Sequence, residues 1–214
     1  MKLYLDTADL DDIQGAAETG LLDGVTTNPT LIAREKRDFE PHIKAIAAIV
    51  QGPVCVECTG ASAAEMAEEA KHLIQLGRRI IIKIPMGAEG LKAVKILKSL
   101  GIPTIVTLCF SPLQVLLSAL AGASFAAVFV GRLDDMGMDG MQVIADAKNM
   151  LENYGLTTGI IVASVRSPLH VARSAAIGVD IVTMPCNVFN RLAKHPLTDS
   201  GLAQFMKDWA GYKK

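Results

Sequence analysis

The stretch Arg78-Arg79-Ile80-Ile81-Ile82-Lys83-Ile84-Pro85 sets a single lysine inside a run of β-branched apolar residues. A short continuous apolar run of this kind reads as a strand buried on both faces, as in a parallel sheet. Seven more runs of similar character recur along the chain: Leu3–Leu5, Gly24–Thr27, Val54–Cys58, Thr104–Leu108, Phe125–Val130, Ile160–Ala163 and Val179–Thr183. Amphipathic helical stretches lie between them, such as Ala61–Leu76, Leu91–Leu100 and Met141–Tyr154. Ser62-x-x-Glu65 reads as a capping box, and Ser111-Pro112 and Ser167-Pro168 each place an N-cap before a proline at the first helical position. Eight strand–helix units in 214 residues, about 27 each and with no linker between them, predict an α/β fold. Its form is a single (β/α)8 TIM barrel over residues 1–214. The rival is a doubly wound open sheet of five or six strands, with the weak signals at Leu3 and Val179 being something else. A further helix over 199–214 carries Phe205, Trp209 and Tyr212, which either pack on the barrel or dock on a neighbouring subunit.

Composition narrows the function classes. With 21 basic against 22 acidic residues and no Lys/Arg block, the chain is not expected to bind nucleic acid or an acidic membrane. Half the residues are apolar and 20% charged, which excludes a disordered chain. No apolar run approaches the roughly 18 residues of a membrane helix. Asp6 follows the first apolar residues too soon for a signal peptide, so the cytoplasm is the expected location. Cys55-x-x-Cys58 suggests a redox or zinc pair, but residues three apart on a strand point to opposite faces. Buried reduced thiols are the expected state of the cysteines. His42, His72, His170 and His195 are scattered and read as structural or surface residues. There is no GxGxxG, P-loop, HExxH or His/Asp cluster, and neither a cofactor nor a metal is expected.

A barrel carries its active site at the C-terminal ends of its strands. Polar residues stand at those ends with a regularity that core packing does not need: Asp6, Thr27-Asn28, Glu57, Lys83, Thr107, Gly131-Arg132, and Ser164 with Arg166. The intervals from Asp6 to Asn28, Glu57, Lys83 and Thr107 are 22, 29, 26 and 24 residues, one strand–helix period each. Burial disfavours the charged form of an amine, and a neutral amine in a dry pocket attacks a carbonyl to form a Schiff base. Lys83 is therefore the candidate nucleophile; the plainer reading is a lysine that snorkels to solvent or pairs with Glu57. Glu57 is a candidate general acid/base, or else half of that ion pair. Asp6 is a candidate base toward a substrate hydroxyl, or else an N-cap for a helix over Ala8–Glu18. Arg132 and Arg166, with Ser164 and a helix N-terminus nearby, suit a phosphate group. Spacing alone thus points to a metal-free Schiff-base lyase or transferase acting on a phosphorylated carbonyl compound.

At this point the motifs carry a resemblance. Leu5-Asp6-Thr7-Ala8, Gly24-Val25-Thr26-Thr27-Asn28-Pro29-Thr30, Lys83-Ile84-Pro85-Met86, Phe129-Val130-Gly131-Arg132-Leu133-Asp134-Asp135 and His195-Pro196-Leu197-Thr198-Asp199 are similar to the short-form transaldolases and the related fructose 6-phosphate aldolases. The resemblance covers essentially the whole chain. It implies a (β/α)8 barrel in which Lys83 forms the Schiff base with a ketose phosphate. It also implies that Asp6 takes the proton of the C4 hydroxyl, that Glu57 and Thr107 hold the water used at the imine, and that Thr27 and Asn28 bind the donor. Arg132, Ser164 and Arg166 then bind its phosphate, without a cofactor. The donors implied are fructose 6-phosphate and sedoheptulose 7-phosphate, the acceptors erythrose 4-phosphate and glyceraldehyde 3-phosphate. A homo-oligomer, pentamer or decamer, is also implied, built with the C-terminal helix.

Four positions divide the sister activities. Glu57 and Phe129 match the transaldolases, where the aldolases carry Gln and Tyr. Ile105 and Ala127 depart from the transaldolases' usual Asn and Ser and lie closer to the aldolases, and Val128 replaces a common Pro. The alternatives are therefore an aldolase releasing free dihydroxyacetone, or a transaldolase for a modified ketose such as a sulfonated one. A non-catalytic sugar-phosphate-binding barrel has no use for a desolvated lysine.

Overall fold

The computed structural model describes residues 1–212, so Lys213 and Lys214 at the end of the expected C-terminal helix lie outside the described residues. Eight strands form: β1 (Lys2–Asp6), β2 (Gly24–Thr26), β3 (Val54–Glu57), β4 (Ile80–Pro85), β5 (Thr104–Cys109), β6 (Phe125–Phe129), β7 (Gly159–Ala163) and β8 (Ile181–Met184). Each pairs in parallel with the next, and β8 pairs with β1 to close the barrel. Both weak signals are strands, so the open-sheet rival is excluded. The surrounding helices are α1 (Leu10–Glu18), α2 (Pro29–Glu35), α3 (Phe39–Ile49), α4 (Ala63–Leu73), α5 (Ala88–Ser99), α6 (Pro112–Ala121), α7 (Val130–Asp135), α8 (Gly140–Asn153), α9 (Pro168–Ile177), α10 (Cys186–Phe189) and α11 (Pro196–Tyr212).

Strand alternation sorts the core into two layers. Residues pointing outward, such as Val54, Val56, Ile82, Ile84, Val106 and Val128, pack beneath the helices in one large cluster. Those pointing inward form a smaller cluster of Tyr4, Cys55, Ile105, Ala127, Ile161, Ala163 and Ile181. The near-continuous apolar runs follow from this, because both strand faces are dry. Two large rings of the interior, Tyr4 and Phe125, each lie over a glycine: a Cβ at Gly24 or Gly159 would stand 2.6 Å from them. Cys55 belongs to the inner layer and Cys58 to the outer, so the two thiols diverge as strand geometry requires. Burial pushes both up to about 12, the state of inert thiols.

Local signals hold in part. The Ser62–Glu65 capping box forms on α4, and Ser111 caps α6 by accepting from the Gln114 N–H. Ser167 occupies the N-cap position of α9, yet its hydroxyl makes no capping bond. Helix α1 is capped by Asp9, which accepts from the Asp11 and Asp12 N–H groups, and this removes the capping reading of Asp6. Helix α11 begins three residues earlier than expected, at Pro196, and buries none of its described residues. Phe205, Trp209 and Tyr212 are 72%, 56% and 81% exposed, so most of each ring faces outward from the described residues.

Candidate active site

Inward-pointing residues at the C-terminal ends of the strands converge on one cavity. Asp6, Asn28, Lys83, Thr107 and Phe129 line it, together with Thr26, Ile105, Ala127, Ile161, Ala163 and Thr183. Asn28, Lys83 and Phe129 also line an outer mouth, together with Glu57, Leu108 and Arg132.

Lys83 is the centre of this arrangement. Glu57 and Lys83 are direct register partners on β3 and β4, so their side chains leave the sheet side by side. Lys83 Nζ lies 2.9 Å from Glu57 Oε2 and donates to the Thr27 carbonyl oxygen at 2.7 Å. Its side chain is only 6% exposed. An ammonium has three donors; two are directed at Glu57 and Thr27, which leaves the third direction for the cavity. Both earlier readings of Glu57 therefore meet in one geometry, an ion pair placed where a proton acceptor for Lys83 has to stand.

Asp6 enters the same cavity from β1. Thr26 Oγ1 donates to Asp6 Oδ1 at 2.9 Å and lies 2.6 Å from Thr183 Oγ1, so a chain of hydroxyls from β8 through β2 orients the carboxyl. Burial holds the Asp6 carboxyl above the usual carboxylate range, against the opposing pull of Lys83 and the Thr26 hydrogen bond. Thr107 Oγ1 is buried and has no hydrogen-bond partner among the described residues. An orphaned buried hydroxyl is uncommon in native folds, and this one faces the cavity that Lys83 lines. Immediately after it the backbone leaves its regular course. Leu108 is left-handed at φ 59°, and the β5–β6 register shifts between Val106 and Cys109. Strain of this kind, at a residue other than glycine, concentrates at functional strand ends.

Thr27 and Asn28 contribute differently from what their residue types suggest. The Thr27 hydroxyl is spent on the Cys55 carbonyl oxygen at 2.9 Å, and it is the Thr27 carbonyl that meets Lys83. Asn28 caps α2, its Oδ1 accepting from the Leu31 N–H at 3.0 Å, and its amide NH₂ remains to donate into the cavity that it lines.

The cationic group stands on the rim after β6 and β7. Arg132 lies over the Phe129 ring, 5.1 Å from its centroid, and reaches the mouth. Gly131 donates its N–H to the Ser164 carbonyl at 3.1 Å. A Cβ on Gly131 would lie 2.1 Å from that oxygen and 2.6 Å from Arg166 Nε, so only glycine lets the two loops approach this closely. Ser164 and Arg166 line neither of the two cavities described above. Ser164 is left-handed at φ 57°, and the Arg166 guanidinium pairs with Asp135 at 2.8 Å.

Sequence reasoning passed over three participants. Thr26 and Thr183 carried the relevant signal, a polar residue at an inward strand position. His170 carried none beyond standing three residues after Ser167, yet its ring bridges Asp134 and the backbone of Arg166. Among the described residues no three His, Cys, Asp or Glu side chains gather as a metal site. Among the described residues no helix is long and apolar enough to cross a membrane.

Comparison with known proteins agrees with this geometry. The family model for Transaldolase/Fructose-6-phosphate aldolase matches residues 3–214. A probable transaldolase of Lactiplantibacillus plantarum is 53% identical over 213 residues, covering 100% of this chain and 98% of its own length. One from Aquifex aeolicus is 54% identical, covering 98% of this chain and 96% of its own. One from Geobacter sulfurreducens is 52% identical over 214 residues, covering both chains completely. On these matches and on its closed barrel, the chain belongs to the transaldolase/fructose-6-phosphate aldolase family.

Proposed function

We propose that the protein is a transaldolase that moves a dihydroxyacetone unit from fructose 6-phosphate or sedoheptulose 7-phosphate to an aldose phosphate through a Schiff base on Lys83. The observation that carries this is the buried Lys83–Glu57 contact of 2.9 Å beside a cavity that also receives Asp6. Transfer of a proton from Lys83 toward Glu57 exposes the nitrogen lone pair, which attacks the ketose carbonyl carbon. The carbonyl oxygen departs as water, and an iminium remains. Asp6, as carboxylate, takes the proton of the C4 hydroxyl while the C3–C4 bond breaks, and the released electron pair enters the iminium as an enamine. The first aldehyde leaves. An acceptor aldehyde then receives the enamine carbon, Asp6 returns the proton, and water hydrolyses the new imine. The Thr107 hydroxyl and Glu57 are the groups suited to hold that water. Asn28 donates to the donor hydroxyls, while Arg132, with Ser164 and Arg166 beside it, takes the anionic tail.

Glu57 and Phe129 support transfer rather than release, since a carboxylate and the missing ring hydroxyl change how water near the three-carbon intermediate is protonated. A second reading rests on Ile105 and Ala127, which present only hydrocarbon to the inner cavity. It is an aldolase that releases dihydroxyacetone, or a transferase for a ketose with another anionic tail, such as a sulfonate. The test is glyceraldehyde 3-phosphate release from fructose 6-phosphate with and without erythrose 4-phosphate. Sustained release only with acceptor is expected; sustained release without it would establish the aldolase.

The protein acts in the cytoplasm as a homo-oligomer, with the pentamer or decamer resting on the family resemblance alone and helix α11 supporting the interface. Leu197, Leu202, Phe205, Met206, Trp209 and Tyr212 are all exposed on that one element, a surface of the kind that a neighbouring subunit covers. A monomer in light scattering would overturn this.

A further inference from the structure

We infer that His170, held by Asp134, is a positioning residue that sets the anion-binding rim. The inference rests on the reading of Arg132, Ser164 and Arg166 as that rim. His170 is the third residue of α9, and its side chain is only 12% exposed. Its Nδ1 accepts the Arg166 backbone N–H at 3.2 Å, and its Nε2 lies 2.9 Å from Asp134 Oδ2. An Nδ1 that accepts carries no proton, so the ring's proton stands on Nε2 and points to Asp134. Asp134 is fixed in turn, because its other oxygen accepts the Gly140 N–H at 3.0 Å.

The connection matters because of what it joins. Asp134 belongs to α7, the helix that carries Arg132; Arg166 and Ser164 belong to the loop after β7. Three links tie these segments: the Gly131 N–H on the Ser164 carbonyl, the Asp135–Arg166 ion pair, and the Asp134–His170–Arg166 chain. The Asp135 link is exposed on both sides, at 61% and 56%, and gives way when Arg166 turns to an anion. The histidine link is the more buried of the two side-chain links and grips the backbone, so it persists when the guanidinium moves. It fixes where the Arg166 side chain starts and how Ser164, two residues earlier, is presented. An ordinary helix cap would stabilise α9 through Ser167, whose hydroxyl makes no capping bond here.

The test compares a donor with and without an anionic tail. His170→Phe keeps a ring but removes both hydrogen bonds; His170→Asn keeps an acceptor for the Arg166 N–H. For His170→Phe, the KM for fructose 6-phosphate and the Ki of inorganic phosphate rise about three- to tenfold. The half-saturating dihydroxyacetone concentration in borohydride trapping on Lys83 stays within about twofold of the parent. His170→Asn recovers most of the loss. Equal losses for both donors, an unchanged phosphate Ki, or no recovery with Asn would each overturn the assignment. If His170→Phe does not fold, Asp134→Ala carries the same comparison, since it removes the carboxylate that holds His170 Nε2. Arg132→Ala is the reference. If it is selective for the phosphorylated donor and the histidine variants are not, the role of His170 alone fails. If Arg132→Ala is also unselective, the anion-rim reading fails and takes this inference with it.

Discussion

The two sides of the barrel mouth are built on opposite principles. From β1 to β5 the polar groups are sunk among apolar neighbours: Lys83 and Thr107 are 5% and 0% exposed, and Lys83 is held by the Thr27 carbonyl just after β2 and the Glu57 carboxyl at the end of β3. After β6 and β7 the charged groups stand in solvent, and Arg166 is paired only with another exposed side chain. Charges interact strongly where water is excluded and weakly where it is not. The first side is thus suited to moving protons and electrons at a carbonyl, the second to holding a tail that never reacts. The contrast implies that damage to the buried side falls on kcat and damage to the rim falls on KM.

The largest expected effect breaks the buried side altogether. Lys83→Ala lowers transfer by at least about 10⁴-fold, and borohydride with fructose 6-phosphate, which labels Lys83 in the parent, labels nothing in the variant. Turnover in the parent without modification of Lys83 would end the Schiff-base reading. Glu57→Gln comes next. It keeps the shape, removes the carboxylate and sets there the residue of the sister aldolases. The kcat for transfer to the acceptor falls by about 10²-fold, while borohydride still traps the donor on Lys83. A loss confined to KM would show that Glu57 only holds Lys83 in place. On the rim, Arg132→Ala raises the KM for fructose 6-phosphate about tenfold. A fall in kcat alone would erase the distinction between the two sides.

How much of this contrast was legible in the sequence follows from the same physics. The buried side was readable because a parallel barrel imposes a period on its strand ends, and charged residues inside apolar runs at that period stand out. Lys83, Glu57 and Asp6 are all of this kind, and the alternation that puts Cys55 and Glu57 on one strand face also separates Cys55 from Cys58. The rim was readable only as residue types. Arg132 and Arg166 were visible, but the Gly131–Ser164 approach, the left-handed turns at Leu108 and Ser164, and the bridge through His170 depend on how separate loops meet. A histidine three positions after a Ser-Pro helix start looks like any surface histidine. Capping was legible where the side chain acts within its own turn, as at Ser62 and Ser111. It misled at Ser167, whose hydroxyl makes no capping bond, and at Asp6, where Asp9 is nearer the helix. The aromatics Phe205, Trp209 and Tyr212 of α11 were visible on a helix, but whether they meet their own barrel depends on where the chain leaves β8.

The smallest expected effect sharpens the comparison from the side of stability. Asp6 is buried with a carboxyl held above its ordinary value, chiefly by desolvation, with the charge of Glu57 adding to it. A carboxyl raised in the folded state contributes its full stability below the unfolded value of about 3.9, and loses it as the pH rises through the folded value. At neutral pH the ionised Asp6 therefore costs the fold stability that the reaction requires it to give up, because only the carboxylate can take a hydroxyl proton. Asp6→Asn keeps an acceptor for Thr26 and removes the buried charge. It should abolish carbon–carbon cleavage and yet raise the melting temperature at pH 7–8, by about 2–4 °C for each kcal/mol relieved in a chain of this size. The gap between variant and parent should narrow as the pH falls below about 3.9, where the parent's carboxyl becomes protonated in both states. An equal gap at about pH 3 and pH 8 would mean that the gain comes from packing rather than from the charge. A lower melting temperature at every pH would mean that the Thr183–Thr26–Asp6 chain stabilises the barrel instead of straining it, and the contrast between a costly buried side and an indifferent rim would not hold at Asp6.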